Sequence, residues 1–172
     1  MRKVLFIFGQ LSDTDVLWLA RHGRRRRVKQ GSVLIRERVP VDTLTIVLEG
    51  ELDVLVGAGA DRRRVARLLP GEVVGEMSFI DARPPSATVS AATDAVLFTI
   101  AKATLAQGLA ADAAFAARFY KAIATFLSDR VRQATGGGDD PAAKDEVDDN
   151  VLDNLDRAGA RFGELGRQLL DE

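Results

Sequence analysis

Gly75-Glu76-Met77-Ser78-Phe79-Ile80-Asp81-Ala82-Arg83-Pro84-Pro85-Ser86-Ala87-Thr88-Val89 decides how this chain folds. The stretch opens on a glycine and a short helical run whose first amides suit an anion. A helix N-terminus carries unpaired N–H groups and the positive end of the helix dipole. The stretch closes by re-entering a strand through Ser86-Ala87-Thr88-Val89. Strand-period sequence lies on both sides, so an anion-holding turn is set into a sheet.

Upstream the period is two. Val33-Leu34-Ile35 follows Gly31. Leu44, Ile46 and Leu48 alternate with Thr45, Val47 and Glu49 as far as Gly50. Leu52, Val54 and Val56 alternate with Asp53 and Leu55 as far as a hairpin tip, Gly57-Ala58-Gly59-Ala60-Asp61. Val65, Leu68 and Leu69 lead to Pro70-Gly71. Downstream, Thr88-Val89-Ser90 and Ala95-Val96-Leu97-Phe98-Thr99-Ile100 supply two more strands. Short strands at this spacing, joined by Gly-rich turns, predict a closed or rolled antiparallel sheet.

Helices bracket the strands. Ser12 can cap a helix, and Asp15 three residues on makes a short-armed capping box. That helix buries Val16, Leu17, Leu19 and Trp18 and ends near His22-Gly23. A short apolar helix, residues 3–8, is expected before it. From Lys102 the period is helical again. Residues 111–133 contain no Gly or Pro; Phe115, Phe119, Ala122 and Phe126 share one stripe, widened by Ile123, Leu127 and Val131. The fold class is α+β, an antiparallel β-roll or jelly roll flanked by N-terminal helices and a long C-terminal helix. Gly136-Gly137-Gly138-Asp139-Asp140-Pro141 and the acidic run to Asp149 read as a linker. Val151 to Leu170 carries Leu152, Leu155, Gly159, Phe162, Leu165 and Leu169 at helical spacing. The expected organisation is a domain over 1–135, a flexible acidic linker over 136–150 and an amphipathic tail helix over 151–172. The tail either covers the domain's own apolar surface or docks a partner.

At 172 residues and 47% hydrophobic, the chain holds one domain with a core plus an appendage. With no cysteine, disulfides, thiolate catalysis and Cys-ligated metals are excluded. His22 is the single histidine; with no cysteine and no acidic partner cluster it is not expected to hold a metal, and no other histidine or cysteine is present to activate a serine. No residue constellation supports catalysis, so an enzyme is not expected, nor a cofactor. No apolar run approaches the roughly 18 residues of a membrane span. The apolar start stops at Gly9-Gln10 without a cleavage-like site, so a cytoplasmic protein is expected. Residues 1–135 hold 20 Lys/Arg against 14 Asp/Glu, and residues 136–172 hold 4 against 11. A basic body therefore carries an acidic tail. Arg24-Arg25-Arg26-Arg27 lie on a strand whose neighbours point to opposite faces, with no interleaved aromatics, and read as a solvated strand. DNA binding is not expected.

The order of elements, with Gly31, Gly50, Pro70-Gly71-Glu72, Gly75-Glu76-Met77 and Ser86-Ala87-Thr88-Val89-Ser90-Ala91, resembles the cyclic nucleotide-binding domain over roughly residues 12–133. The resemblance implies a phosphate-binding cassette. In it Glu76 would bind the ribose 2′-hydroxyl, amides around Gly75, Met77 and Ser78 would face the cyclic phosphate, and Ser86 and the Ala87 amide would lie beside phosphate and purine. The implied ligand is cAMP or cGMP. Glu76 has a plainer reading too, as a charge that stabilises the short helix's N-terminus. Two positions depart from the family's pattern. Arg38 stands where a glycine turn is usual. Pro85 stands where an arginine precedes Ser-Ala-Thr, and offers neither charge nor N–H. Losing a bidentate guanidinium typically costs about 2–5 kcal/mol, enough to turn micromolar binding into millimolar or none. Arg83, two residues earlier, can swing in from the same side of an extended turn.

Two functions follow from the resemblance. The first is a regulatory module that senses cAMP, cGMP or a related small anion and signals through its terminal helices. Its partner would be a protein held by Val151–Leu170 or the 111–133 helix, or a second copy of the chain. The alternative is a ligand-free fold kept as a structural or interaction module.

Overall fold

The computed structural model describes residues 7–135 and 159–167. Helix α1 (Asp13–His22) begins on the expected capping box: Asp15 N–H donates to Ser12 Oγ at 3.2 Å, and Ser12 N–H donates to Asp15 Oδ2 at 2.7 Å. Eight strands follow: β1 (Arg24–Val28), β2 (Val33–Ile35), β3 (Thr43–Glu49), β4 (Leu52–Val56), β5 (Arg63–Leu68), β6 (Val73–Val74), β7 (Thr88–Ala91) and β8 (Ala95–Ala101). A short helix, α2 (Glu76–Asp81), separates β6 from β7; α3 (Lys102–Ala111) and α4 (Ala113–Ala134) follow β8. The strands pair antiparallel in two four-stranded sheets, ordered β1-β8-β3-β6 and β2-β7-β4-β5. This is the β-roll with helices that the sequence predicts.

The alternation along β3 leads to a different outcome from the one its sequence suggests. Leu44, Ile46 and Leu48 share one face, as their alternation predicts, and it is turned to the helices, but Val47 is fully buried on the other side, inside the roll. In β8, Val96, Phe98 and Ile100 join the helix-side core while Ala95 and Leu97 join the inner one. Strands β8 and β3 of the first sheet are thus buried on both faces, between helices and the second sheet, and carry apolar residues at successive positions, whereas the edge strand β1 is a mostly exposed run of arginines.

Asp112 sets the start of the long helix, its Oδ1 accepting from the N–H groups of Ala114 and Phe115 at 2.9 Å each. The helix therefore begins at Ala113 rather than 111. Phe115, Phe119, Ala122, Ile123 and Phe126 are buried as their spacing predicts, but Val131 is 62% exposed because it lies too far round the helix from that stripe to face the core. Arg118 fixes α4 to α1: its Nε and Nη2 donate to Asp15 Oδ2 and Oδ1 at 2.7 and 2.8 Å. Burial pushes the Asp15 carboxyl up, but the hydrogen bonds from Arg118 and Ser12 outweigh it and hold the group below its ordinary value.

The expected helix over residues 3–8 falls mostly outside the described residues; Ile7 and Phe8 are helical and fully buried. The linker over 136–150 and the ends of the tail also lie outside them. Residues 159–167 are helical and lie on the domain itself. Leu165 is fully buried in the helix-side core, and Phe162 packs edge-on against Phe8 with centroids 5.3 Å apart. Arg161 donates to Asp13 Oδ1 at 2.6 Å and to the Phe8 carbonyl at 3.1 Å. This part of the tail covers the domain's own apolar surface.

Candidate ligand-binding site

A cavity of about 250 Å³ opens where β6 leaves the roll and α2 begins. Its floor is the inner face of the roll, with Ile35, Val54, Leu68 and Val89. Its wall is the stretch from Gly75 to Ala87, and Arg130 of α4 reaches in from outside that stretch. An apolar floor under a few converging polar groups is the usual make-up of a small-molecule pocket. A wider groove of about 510 Å³ lies between α1 and residues 159–167, but its charged groups pair with one another, Arg161 with Asp13 and Arg167 with Glu164.

Backbone conformation shapes the wall. Gly75 precedes α2 at φ +88°, and a Cβ there would stand 2.7 Å from the Thr43 carbonyl oxygen of β3. Only glycine passes this point without strain. Ala82 ends α2 in the left-handed conformation at φ +57°. Arg38, where the family's pattern has a glycine, is also left-handed at φ +62°. Its N–H donates to the Pro85 carbonyl at 2.8 Å, and Glu37 N–H donates to Thr88 Oγ1 at 3.1 Å. Both bonds tie the loop between β2 and β3 to the far end of the cassette.

All seven residues singled out by sequence, Gly75, Glu76, Met77, Ser78, Arg83, Ser86 and Ala87, line this cavity. They are not equivalent. Glu76 is 3% exposed, and its Oε1 accepts from Arg130 Nη1 at 2.5 Å. Burial raises its carboxyl above the ordinary value; the charges of Arg130 and Lys102 and the hydrogen bond from Arg130 oppose this without cancelling it. Burial conversely lowers the Lys102 ammonium, against the charges of Asp42, Glu76 and Asp81. The Met77 side chain is half exposed, leaving its backbone as the part suited to a ligand. Arg83 stands outward with its side chain 84% exposed, Nε 3.8 Å from Asp81 Oδ2. In this structure it does not fill the place of the arginine absent at Pro85.

Arg130 is the residue that sequence reasoning missed. One signal pointed to it: it lies four residues beyond Phe126, on the extension of the apolar stripe of α4, where a charged residue is out of place. Its guanidinium carbon sits over the Phe126 ring, 5.4 Å from the centroid.

A family profile described as the cyclic nucleotide-binding domain matches residues 25–112, slightly more than half of the chain. The chain belongs to the cyclic nucleotide-binding domain family. Among curated proteins it is 34% identical, over 94 residues, to a cyclic nucleotide-gated potassium channel of Mesorhizobium japonicum; the match takes in 55% of this chain and only 25% of the channel. A cyclic nucleotide-binding domain from Methylobacillus flagellatus superposes with a TM-score of 0.69 at 24% identity, covering 77% of this chain and 78% of that one, which shows the shared fold. The N-terminal domain of a transcriptional regulator from Streptomyces coelicolor gives 0.63 at 25% identity, over 77% of this chain and 94% of that one. Among the described residues, no helix is long and apolar enough to cross a membrane, and no cluster of His, Asp and Glu could hold a metal.

Proposed function

We propose that this chain is a regulatory, non-enzymatic module that senses cAMP, cGMP or a related small anion in the cassette cavity. It signals through α4 and the tail to a partner protein or a second copy of itself. The observation that carries this reading is the contact between Glu76 and Arg130. Glu76 is where the family resemblance puts the ribose ligand, and its hydrogen-bond partner belongs to the terminal helix. A ligand that engages Glu76 changes what holds Arg130, and so shifts α4 by the difference in affinity between its two arrangements.

Calorimetric titration of the full chain with cAMP and with cGMP tests the reading. Binding that is lost in Glu76→Gln supports it. Absence of binding to the natural chain, with binding to Pro85→Arg, would remove it. That second outcome favours the alternative of a ligand-free structural module, which rests on Pro85 and on the outward stance of Arg83. Under the alternative, removing residues 136–172 should abolish partner capture.

A further inference from the structure

The cavity presents an electrostatic difficulty for an anionic ligand. Its deeply buried charge is a carboxylate, Glu76, 3% exposed. A phosphate entering beside it would meet a like charge at low dielectric, which costs several times what it would in water. Pro85 supplies no cation. Arg83 points to solvent and is tied to Asp81 by both its side chain and its N–H.

Arg130 meets the requirement. It lines the cavity, its side chain is 31% exposed, and its charge lies against the Glu76 carboxylate. Glu76 engages Nη1, on one edge of the guanidinium. A guanidinium carries five donors in a planar fork and is able to serve two acceptors on different edges. The Phe126 ring beneath it restrains that plane.

We propose that Arg130 is the phosphate-binding arginine of this pocket, supplied from α4 in place of the cassette arginine absent at position 85. The inference rests on the sensing reading above and deepens it. Arg130 holds Glu76 and the ligand's phosphate together, neutralising the buried carboxylate so that an anion enters. The ligand's charge is then read directly by the terminal helix rather than relayed to it from the cassette.

The test is a cycle of four full-length proteins titrated with cAMP: the natural chain, Arg130→Gln, Pro85→Arg and the double variant, with Arg130→Lys beside them and a melting curve for each. If Arg130 serves the phosphate, Arg130→Gln weakens binding about thirtyfold or more. Arg130→Lys recovers only part of the loss, because a point charge does not reproduce the fork. In the Pro85→Arg background the same Arg130→Gln change costs much less, since two arginines serving one phosphate are not additive. Equal losses in both backgrounds, or losses that track the melting temperature, would make Arg130 a structural residue and overturn the proposal. Tighter binding by Arg130→Gln would make it a cover over Glu76, overturning the proposal while leaving the sensing reading intact. Failure of the natural chain to bind, with Pro85→Arg binding, overturns both.

Discussion

Replacing Gly75 with alanine tests whether the wall of the cavity is held by close backbone approach. Two costs add at this position. A φ of +88° puts alanine in the left-handed region, worth about 1–2 kcal/mol. The new Cβ would also stand 2.7 Å from the Thr43 carbonyl oxygen. That oxygen cannot easily move, because Thr43 is in β3 and in register with Ala101 of β8. Crowding of this kind costs about 1–3 kcal/mol. The sum, about 2–5 kcal/mol, is a large part of the roughly 5–15 kcal/mol that stabilises a typical domain. Gly31→Ala is the control: φ is +81°, but nothing lies within 4 Å of the added Cβ, so only the conformational cost remains. Urea unfolding followed by circular dichroism separates them. With a slope of about 1–3 kcal/mol per molar urea, Gly75→Ala should lower the midpoint roughly twice as far as Gly31→Ala. Equal shifts would refute the account of Gly75 as a residue confined by β3.

Other measurements bear on the same structure. Ala82→Gly relieves a left-handed alanine at the end of α2 and should raise stability by up to about 1 kcal/mol, read as a higher urea midpoint; a lower one would mean that the conformation is not strained. Stability should vary with pH in two windows. Glu76 titrates above its ordinary 4.5 in the folded chain, so its contribution is full below 4.5 and is lost as pH rises through the folded value; Glu76→Gln should flatten that fall in melting temperature. Asp15 titrates below 3.8, so its contribution is present above 3.8 and is lost as pH falls through the folded value, a slope that Asp15→Asn should remove. Leu165→Asp places a charge in the helix-side core and should release residues 159–167, speeding proteolysis of the tail; unchanged cleavage would mean that the segment is not held there.

Much of the fold was legible because its causes are local. The capping box at Ser12 and Asp15, the turns at Gly31 and Gly50, and the phenylalanine stripe of α4 each act within one or two turns of chain, and each appears where its spacing places it. Reading failed where burial depends on what lies on the far side of an element. Val47 occupies a position that alternation assigns outward, yet a second sheet covers it. Val131 lies too far round α4 from the buried phenylalanines to face the core.

The site divides in the same way. Gly75, Glu76 and Ser86-Ala87 were legible because they lie in one short stretch, whose residues and spacing carry the resemblance to the family's cassette. The pairing of Arg130 with Glu76 was not, since 54 residues separate them and only the packing of α4 against the roll brings them together. Nor was the fate of Arg83, whose spacing allows it to face the ligand but which the turn after α2 directs toward Asp81. By itself the sequence determined the order of elements, their caps and turns, and the cassette with its missing arginine. The tertiary structure alone decided which charges meet in the cavity, because that depends on how helices far apart in the chain dock on a shared core.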